Sequence, residues 1–149
     1  MGVTASVADL HEEVAQRLAS RGRRYTTARR AIVEVLAAAG APLSIAGLRR
    51  QDGSLALSSA YRNLSVLERS GVVHRVVGAD DLARYELAEE LTGHHHHLIC
   101  TTCGDVRDFT VSPELEGDLD RALARIARAH GFVVDHHRLD LVGTCPGCG

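Results

Sequence analysis

All four cysteines of this 149-residue chain fall in two Cys-x-x-Cys pairs, Cys100/Cys103 and Cys145/Cys148, and a glycine follows each pair. Two residues between thiolates let both sulfurs of one turn reach a single ion at ~2.3 Å, and two such turns complete the closed tetrahedral site typical of structural Zn2+. Disulfides would require an oxidising compartment. The N-terminus lacks a basic-then-apolar signal pattern, and no apolar run approaches the roughly 20 residues that span a bilayer, so a cytoplasmic chain with reduced thiols is expected. The 41 residues between Cys103 and Cys145 must fold back for the pairs to meet. A bound ion would then fasten the last segment of the chain to the strand that leads into Cys100.

Four consecutive histidines, His94, His95, His96 and His97, precede the first pair. Imidazoles are costly to bury without partners. On a strand, side chains alternate, so His95 and His97 face one way and His94 and His96 the other. One run can therefore feed two separate metal sites. His74, Glu86, Glu89, Glu90, Asp108, Asp120 and His137 are further candidate ligands. Each alone reads as a surface residue, and clustering beside a His-x-His pair is what would make it a ligand. Such nitrogen and oxygen donors suit Fe2+, Mn2+ and Zn2+ alike.

The remaining pattern reads as α+β in two units. Val7, Leu10, Val14 and Leu18 recur at helical spacing before Gly22. Thr26 or Thr27 caps a second helix ended by Gly40, and Ser44 caps a short third. Ser58 caps a fourth, with Ala60, Leu64 and Leu67 inward and Ser59, Arg62 and Asn63 outward. Two short strands around Gly78 to Asp81 make a hairpin. Three helices followed by a hairpin is the order of a winged helix, expected over residues 1–87. A hinge is expected at 88–93, and a small α/β domain at 94–149 with strands over 94–100, 106–111 and 133–142 and a helix opened by Ser112 and Pro113.

The net charge is −2, but all 17 basic residues are arginine and twelve of them precede residue 88. Six lie between Arg17 and Arg30 with no acid among them. Such a stretch can neutralise phosphates. An enzyme reading finds little here. A zinc hydrolase or deaminase needs an open coordination position and a nearby Glu base, no HExxH occurs, and the HxE at His11 to Glu13 is remote from both cysteine pairs. A plain zinc-ribbon interaction module would leave the histidines and the winged-helix half unexplained.

Several stretches, in order and over nearly the whole chain, resemble the ferric uptake regulator (Fur) family. They are YTTARRAIVEVL, LSSAYRNLSVLERSGVV, YEL, HHHHLICTTCG, AHGFVVDHHRLDLVGTC and the closing CPGCG. The resemblance implies a homodimer on a double-stranded DNA operator that represses metal-uptake or stress genes when metal is bound. Fe2+ or Zn2+ would be co-repressor, with Mn2+ also open and peroxide sensing the alternative within the family. Neither a membrane nor a small-molecule substrate is expected. The resemblance places His74, Glu86, His95, His97 and Asp108 in a regulatory site, with Glu89 and Glu90 as alternatives. Asp108 stands where iron sensors often have Glu and peroxide sensors Asp. His94, His96, Asp120 and His137 look like the family's third site, and the four cysteines like its structural zinc site. Tyr61 and Arg62 would contact bases and phosphates, supported by Arg24, Thr26, Arg29, Ser58 and Ser59.

Overall fold

The computed structural model describes residues 6–149. Ser6 opens α1 (Val7–Ala19) by accepting from the Asp9 N–H while the Asp9 carboxylate accepts from the Ser6 N–H, a reciprocal cap. Thr26 caps α2 (Thr27–Ala39), which stops at Gly40 in the left-handed region at φ 62°. After β1 (Leu43–Ser44), Ser44 caps α3 (Ile45–Gln51). Then come α4 (Leu57–Arg69) and the hairpin of β2 (Val73–Val77) and β3 (Ala83–Leu87). Strand β3 lies between β1 and β2, antiparallel to both. Val14, Leu18, Val33, Leu48, Leu64 and Leu67 fill the core of this winged helix.

Two details of α4 differ from expectation. The helix starts at Leu57 with Ala56 in the cap position and no side chain accepting there, so Ser58 lies inside the first turn rather than capping it. Asn63, expected outward, is buried. It follows Ala60 by three residues and precedes Leu67 by four, which places it on the inward stripe.

Segment 88–93, expected as irregular hinge, contains one helical turn, α5 (Glu89–Thr92). Ala88 is fully buried, and its N–H donates to the Val72 carbonyl at 2.9 Å. The linker is thus moored to the winged helix at its start, and the chain changes direction at Gly93, φ 96°.

The second sheet holds β4 (His96–Cys100) at its centre, antiparallel to β5 (Val106–Phe109) and parallel to β6 (Asp140–Gly143). Between β5 and β6 runs α6 (Pro113–Ala129), capped by Ser112. The last strand is shorter than the expected 133–142. Residues 132–139 have no strand pairing, and Phe132 and Val133 stand 72% and 93% exposed. An apolar run reads as strand by composition, but a strand needs a partner for its backbone, and β4 offers one from Asp140 onward.

The two units touch at a second place besides the linker. Val76 of β2 is buried with Ile99 of β4 and Val106 of β5. At the hairpin tip, the Asp80 carboxylate lies where a side chain at Gly104 (φ +73°) would be. Among the described residues, no helix is long and apolar enough to cross a membrane.

The two faces of α4 should separate by stability. Leu64→Ala, in the core, should cost about 2–5 kcal/mol and lower the melting temperature markedly. Tyr61→Ala, at a side chain 58% exposed, should stay within about 0.5 kcal/mol of wild type. Equal losses in thermal melts would mean that α4 packs on another face.

Candidate metal centres

Cysteine Sγ atoms of both turns converge. Cys103 Sγ and Cys145 Sγ are 3.8 Å apart, the edge of a tetrahedron whose centre-to-sulfur distance is ~2.3 Å. All four sulfurs lie within 4.8 Å of one another. The Cys145 N–H donates to Cys100 Sγ at 3.3 Å. Backbone N–H groups, first that of Cys103, hold the Cys100 thiol down at about 6, while hydrogen bonds from Cys145 and Cys103 push Cys148 up to about 12. Four thiolates this close repel one another, so ionising the whole set calls for a cation among them. The donor set fits Zn2+.

Glu86, His95, His97 and Asp108 form the second cluster, with one donor atom from each within 4.8 Å of the others. Strand β3 of the winged helix supplies Glu86; the histidines come from the entry and body of β4, and Asp108 from β5. His95 Nε2 and His97 Nε2 each lie 3.0 Å from Glu86 Oε2. The other ring nitrogens are also held: His95 Nδ1 is 3.0 Å from the Gly93 carbonyl and His97 Nδ1 3.4 Å from Asp140 Oδ1. Such outer contacts fix the tautomer and aim Nε2 inward. Burial pushes Glu86 up, but the hydrogen bonds from His95 and His97 outweigh it and hold the carboxyl at about 2. The bond to Glu86 raises His95 to about 9 and raises His97 as well. Burial pushes Asp108 up, and its Oδ1 is buried without a hydrogen-bond partner. A buried carboxylate oxygen without a hydrogen bond, 3.8 Å from one of two aimed imidazoles, is a donor set that could hold a divalent cation.

The third cluster joins His94, His96, Glu116 and His137. Glu116, in the first turn of α6, takes the place expected for Asp120. Its Oε1 is 2.8 Å from His137 Nε2 and 3.2 Å from His94 Nε2, and its Oε2 is 2.9 Å from His96 Nε2. His94 Nε2 and His137 Nε2 are themselves 3.2 Å apart. Asp120, one turn further along α6, sits behind His137 with Oδ1 3.1 Å from Nδ1. It stands behind the cluster rather than within it. The i, i+4 spacing of Glu116 and Asp120 put both on one helix face, and periodicity alone does not rank them.

The other expected ligands lie apart. His74 is exposed on β2, opposite Glu86 in register, and lines a cavity of about 280 Å³ beside the cluster without joining it. Glu89 bonds His94 Nδ1 at 2.9 Å, on the third cluster's side. Glu90 reaches Arg17 at 3.8 Å. Strand alternation holds even though β4 begins only at His96: the odd pair meets Glu86 and the even pair Glu116.

Elsewhere on the winged helix, Ser58, Tyr61 and Arg62 of α4 are exposed, as are Arg24 and Thr26, whose hydroxyl caps α2. Ser59 and Arg29 are half-buried. The basic stretch is less free than its composition suggests. Arg17 donates to Glu13 and to the Gly71 carbonyl, and Arg30 pairs with Glu34. Arg21, Arg23 and Arg24 remain exposed.

A winged helix joined to a small α/β unit, with metal donors contributed across the junction, defines a metal-dependent transcriptional repressor rather than an enzyme. Residues 20–142 match the family model described as "Ferric uptake regulator family", and the chain belongs to that family. It is 31% identical over 141 residues to the peroxide operon regulator of Bacillus subtilis, covering 92% of each chain. It is 34% identical over 139 residues to the ferric uptake regulation protein of Rhizobium leguminosarum, covering 91% of this chain and 93% of that one. Among solved structures, a zinc-bound manganese uptake regulator superposes with a TM-score of 0.62 at 32% identity, over 89% of this chain and 98% of that one. Regulators of this family are DNA-binding dimers.

Two measurements test the centres. Cys145→Ser should lose about one zinc per chain and unfold the C-terminal unit, since structural zinc contributes ~10 kcal/mol or more in small zinc domains; unchanged zinc content and melting would refute the four-cysteine assignment. At the Glu86 cluster a cation competes with the ring protons that Glu86 retains on His95 up to about pH 9. Apparent affinity for a buffered divalent cation should therefore rise with pH from about 6.5 and level off near 9, by up to about tenfold per unit for each proton displaced. A flat profile in chelator competition would show that those rings are not ligands.

Proposed function

We propose that the Glu86, His95, His97 and Asp108 cluster is the regulatory site of this repressor, and that filling it sets the angle between the winged helix and the C-terminal unit. The observation that carries this is the placement of Glu86 on the DNA-binding unit and of the two histidines beyond the linker, all aimed at one point. Glu86 would share a cation with His95, His97 and Asp108, and that cation supplies an attraction spanning the junction. A form in which the units part loses Glu86 from the set. Differential affinity of ~5.5 kcal/mol moves a two-state equilibrium from 1:99 to 99:1, a size within reach of a chelate that loses a charged donor. A dimer reads two half-sites only when its recognition helices stand at a matching separation, so a fixed junction angle favours operator binding.

The DNA face in this reading is α4 with the Arg21–Thr26 loop. Tyr61 and Arg62 point out for base and phosphate contact, and the first turn of α4 keeps backbone N–H groups unclaimed by any cap, beside Ser58 and Ser59. A second copy of the chain is the natural cover for α6, which is amphipathic yet has no buried residue, and for neighbouring Phe132 and Val133. The chain would work in the cytoplasm. Fe2+, Zn2+ and Mn2+ all suit the donors, and the sensed metal follows from operator binding titrated with each buffered cation after the regulatory metal is stripped. Asp108 also favours a second reading, peroxide sensing with Fe2+ bound, because peroxide sensors of the family carry Asp there and the Bacillus subtilis relative is named a peroxide operon regulator. Peroxide would then abolish operator binding of the Fe2+ form and spare the Mn2+ form.

Paired double variants separate sensing from structure. His95→Ala with His97→Ala should abolish the metal response of DNA binding and keep the cysteine-bound zinc. His94→Ala with His96→Ala should lower stability or tune affinity while a response survives. Operator affinity with and without buffered metal, together with zinc content and dimer mass, reads both. Loss of the response in the second pair alone would assign sensing to the Glu116 cluster.

A further inference from the structure

Asparagine on a recognition helix is a common reader of adenine. Asn63 is not available for that. Its side chain is turned inward, and both ends of the amide are engaged: Nδ2 donates to the Ser59 carbonyl at 3.0 Å and lies 3.1 Å from Ser59 Oγ, while Oδ1 accepts from Arg29 Nε at 3.1 Å. Arg29 continues the chain of bonds, its Nη1 donating to the carbonyl of Arg24. The path runs from the first turn of α4, through α2, to the loop that joins α1 and α2. It is the side-chain tie between residues 34 positions apart in sequence.

What this tie holds is informative. The loop carries the exposed guanidinium groups of Arg21, Arg23 and Arg24, while Arg17 and Arg30 at the ends of the basic stretch are occupied by acids and backbone. The loop is already moored to the core by Tyr25, whose hydroxyl lies 2.7 Å from His11 Nδ1, and the Arg29 bond to the Arg24 carbonyl adds the anchor that ties it to α4. On α4, Ser59 receives the other end of the tie, one turn from Arg62.

We propose that Asn63 is a positioning residue for DNA binding, and that Arg29 acts through Asn63 and the Arg24 carbonyl to lock the arginine loop and the recognition helix at one spacing, instead of contacting DNA itself. This rests on the DNA face given under Proposed function. It reassigns Arg29, which composition alone marks as one more phosphate contact. A guanidinium whose Nε and Nη1 are spent on protein acceptors has its planar fork fixed in place. An uncharged, buried amide thereby governs how many phosphates a neighbouring loop can reach.

The test uses the metal-loaded, full-length dimer and a duplex recovered from a random-sequence pool by the wild-type protein, with affinity measured over a series of salt concentrations. The slope against log salt counts the phosphates engaged. Asn63→Ala should weaken binding about tenfold and flatten the slope by about one per half-site, although no charge has been removed. Asn63→Ala combined with Arg24→Ala should lose no more slope than either alone. Arg29→Lys keeps the charge but a single ammonium does not span both acceptors, so it should reproduce Asn63→Ala; it also carries the test if Asn63→Ala fails to fold, as judged by melting and dimer mass. A wild-type slope in either folded variant overturns the proposal, even if affinity falls, since a purely structural role would leave the phosphate count alone. Additive slopes in the double variant overturn it too. If Arg24→Ala and Arg62→Ala both bind as wild type, the DNA face itself is misassigned and this inference falls with it.

Discussion

A carboxylate held mostly out of water has to be paired, and Glu86 finds its partners across a domain junction. That requirement organises much of the molecule. The hairpin must present Glu86 toward the linker, the linker must turn at Gly93 so that the histidine run arrives beside it, and β4 must then alternate so that only His95 and His97 face it. Nothing in the winged helix alone satisfies this residue. Its hydrogen bonds exist only when both units are in place, so the junction, rather than either unit's core, is where a cation would have the most to act upon.

Strand β4 and its approach feed all three clusters. His95 and His97 serve one, His94 and His96 another, and Cys100 at the strand's end the third. Alternation separates the first two across the sheet, and strand length separates both from the cysteines. The Glu116 cluster draws on α6 through Glu116 and on the segment before β6 through His137, so it braces the C-terminal unit internally. The four-cysteine cluster binds the ends of β4 and β6. One short element is therefore tensioned from several sides, and a shift of its register by one residue would exchange the two histidine sites.

Much of this was legible in the chain. The cysteine spacing specified its site outright, because only a fold-back satisfies it. The His-x-His alternation assigned the faces correctly even though the strand proper begins at His96, since an extended approach alternates as a strand does. Where sequence fell short, the missing information was three-dimensional. Glu116 and Asp120 share a helix face, and only the height of α6 over His137 decides which one reaches the ring centre and which stands behind it. Asn63 looked outward by polarity but sits inward by phase. Asp140 and Gly93 back the imidazoles of His97 and His95 from outside, a role that no spacing encodes. The apolar run from Phe132 reads as strand, yet strand identity depends on finding an edge to pair with.

The close approach at Gly104 has its own consequence. With the Asp80 carboxylate where any side chain would sit, the distance from hairpin tip to C-terminal sheet is set by bare backbone. Arg84 grips that carboxylate through both oxygens, at 2.8 and 2.9 Å, so the tip is stiff where it lands. The hairpin is thus seated like a tenon in a shallow mortise, beside the Cys100 end of β4 rather than its histidine end. Swivelling of the winged helix cannot be a free pendulum motion about the linker; it must either pivot on this seat or lift from it. A lifted seat uncovers Val76, Ile99 and Val106 to water, giving the parted arrangement a solvation cost of its own whichever ion is present.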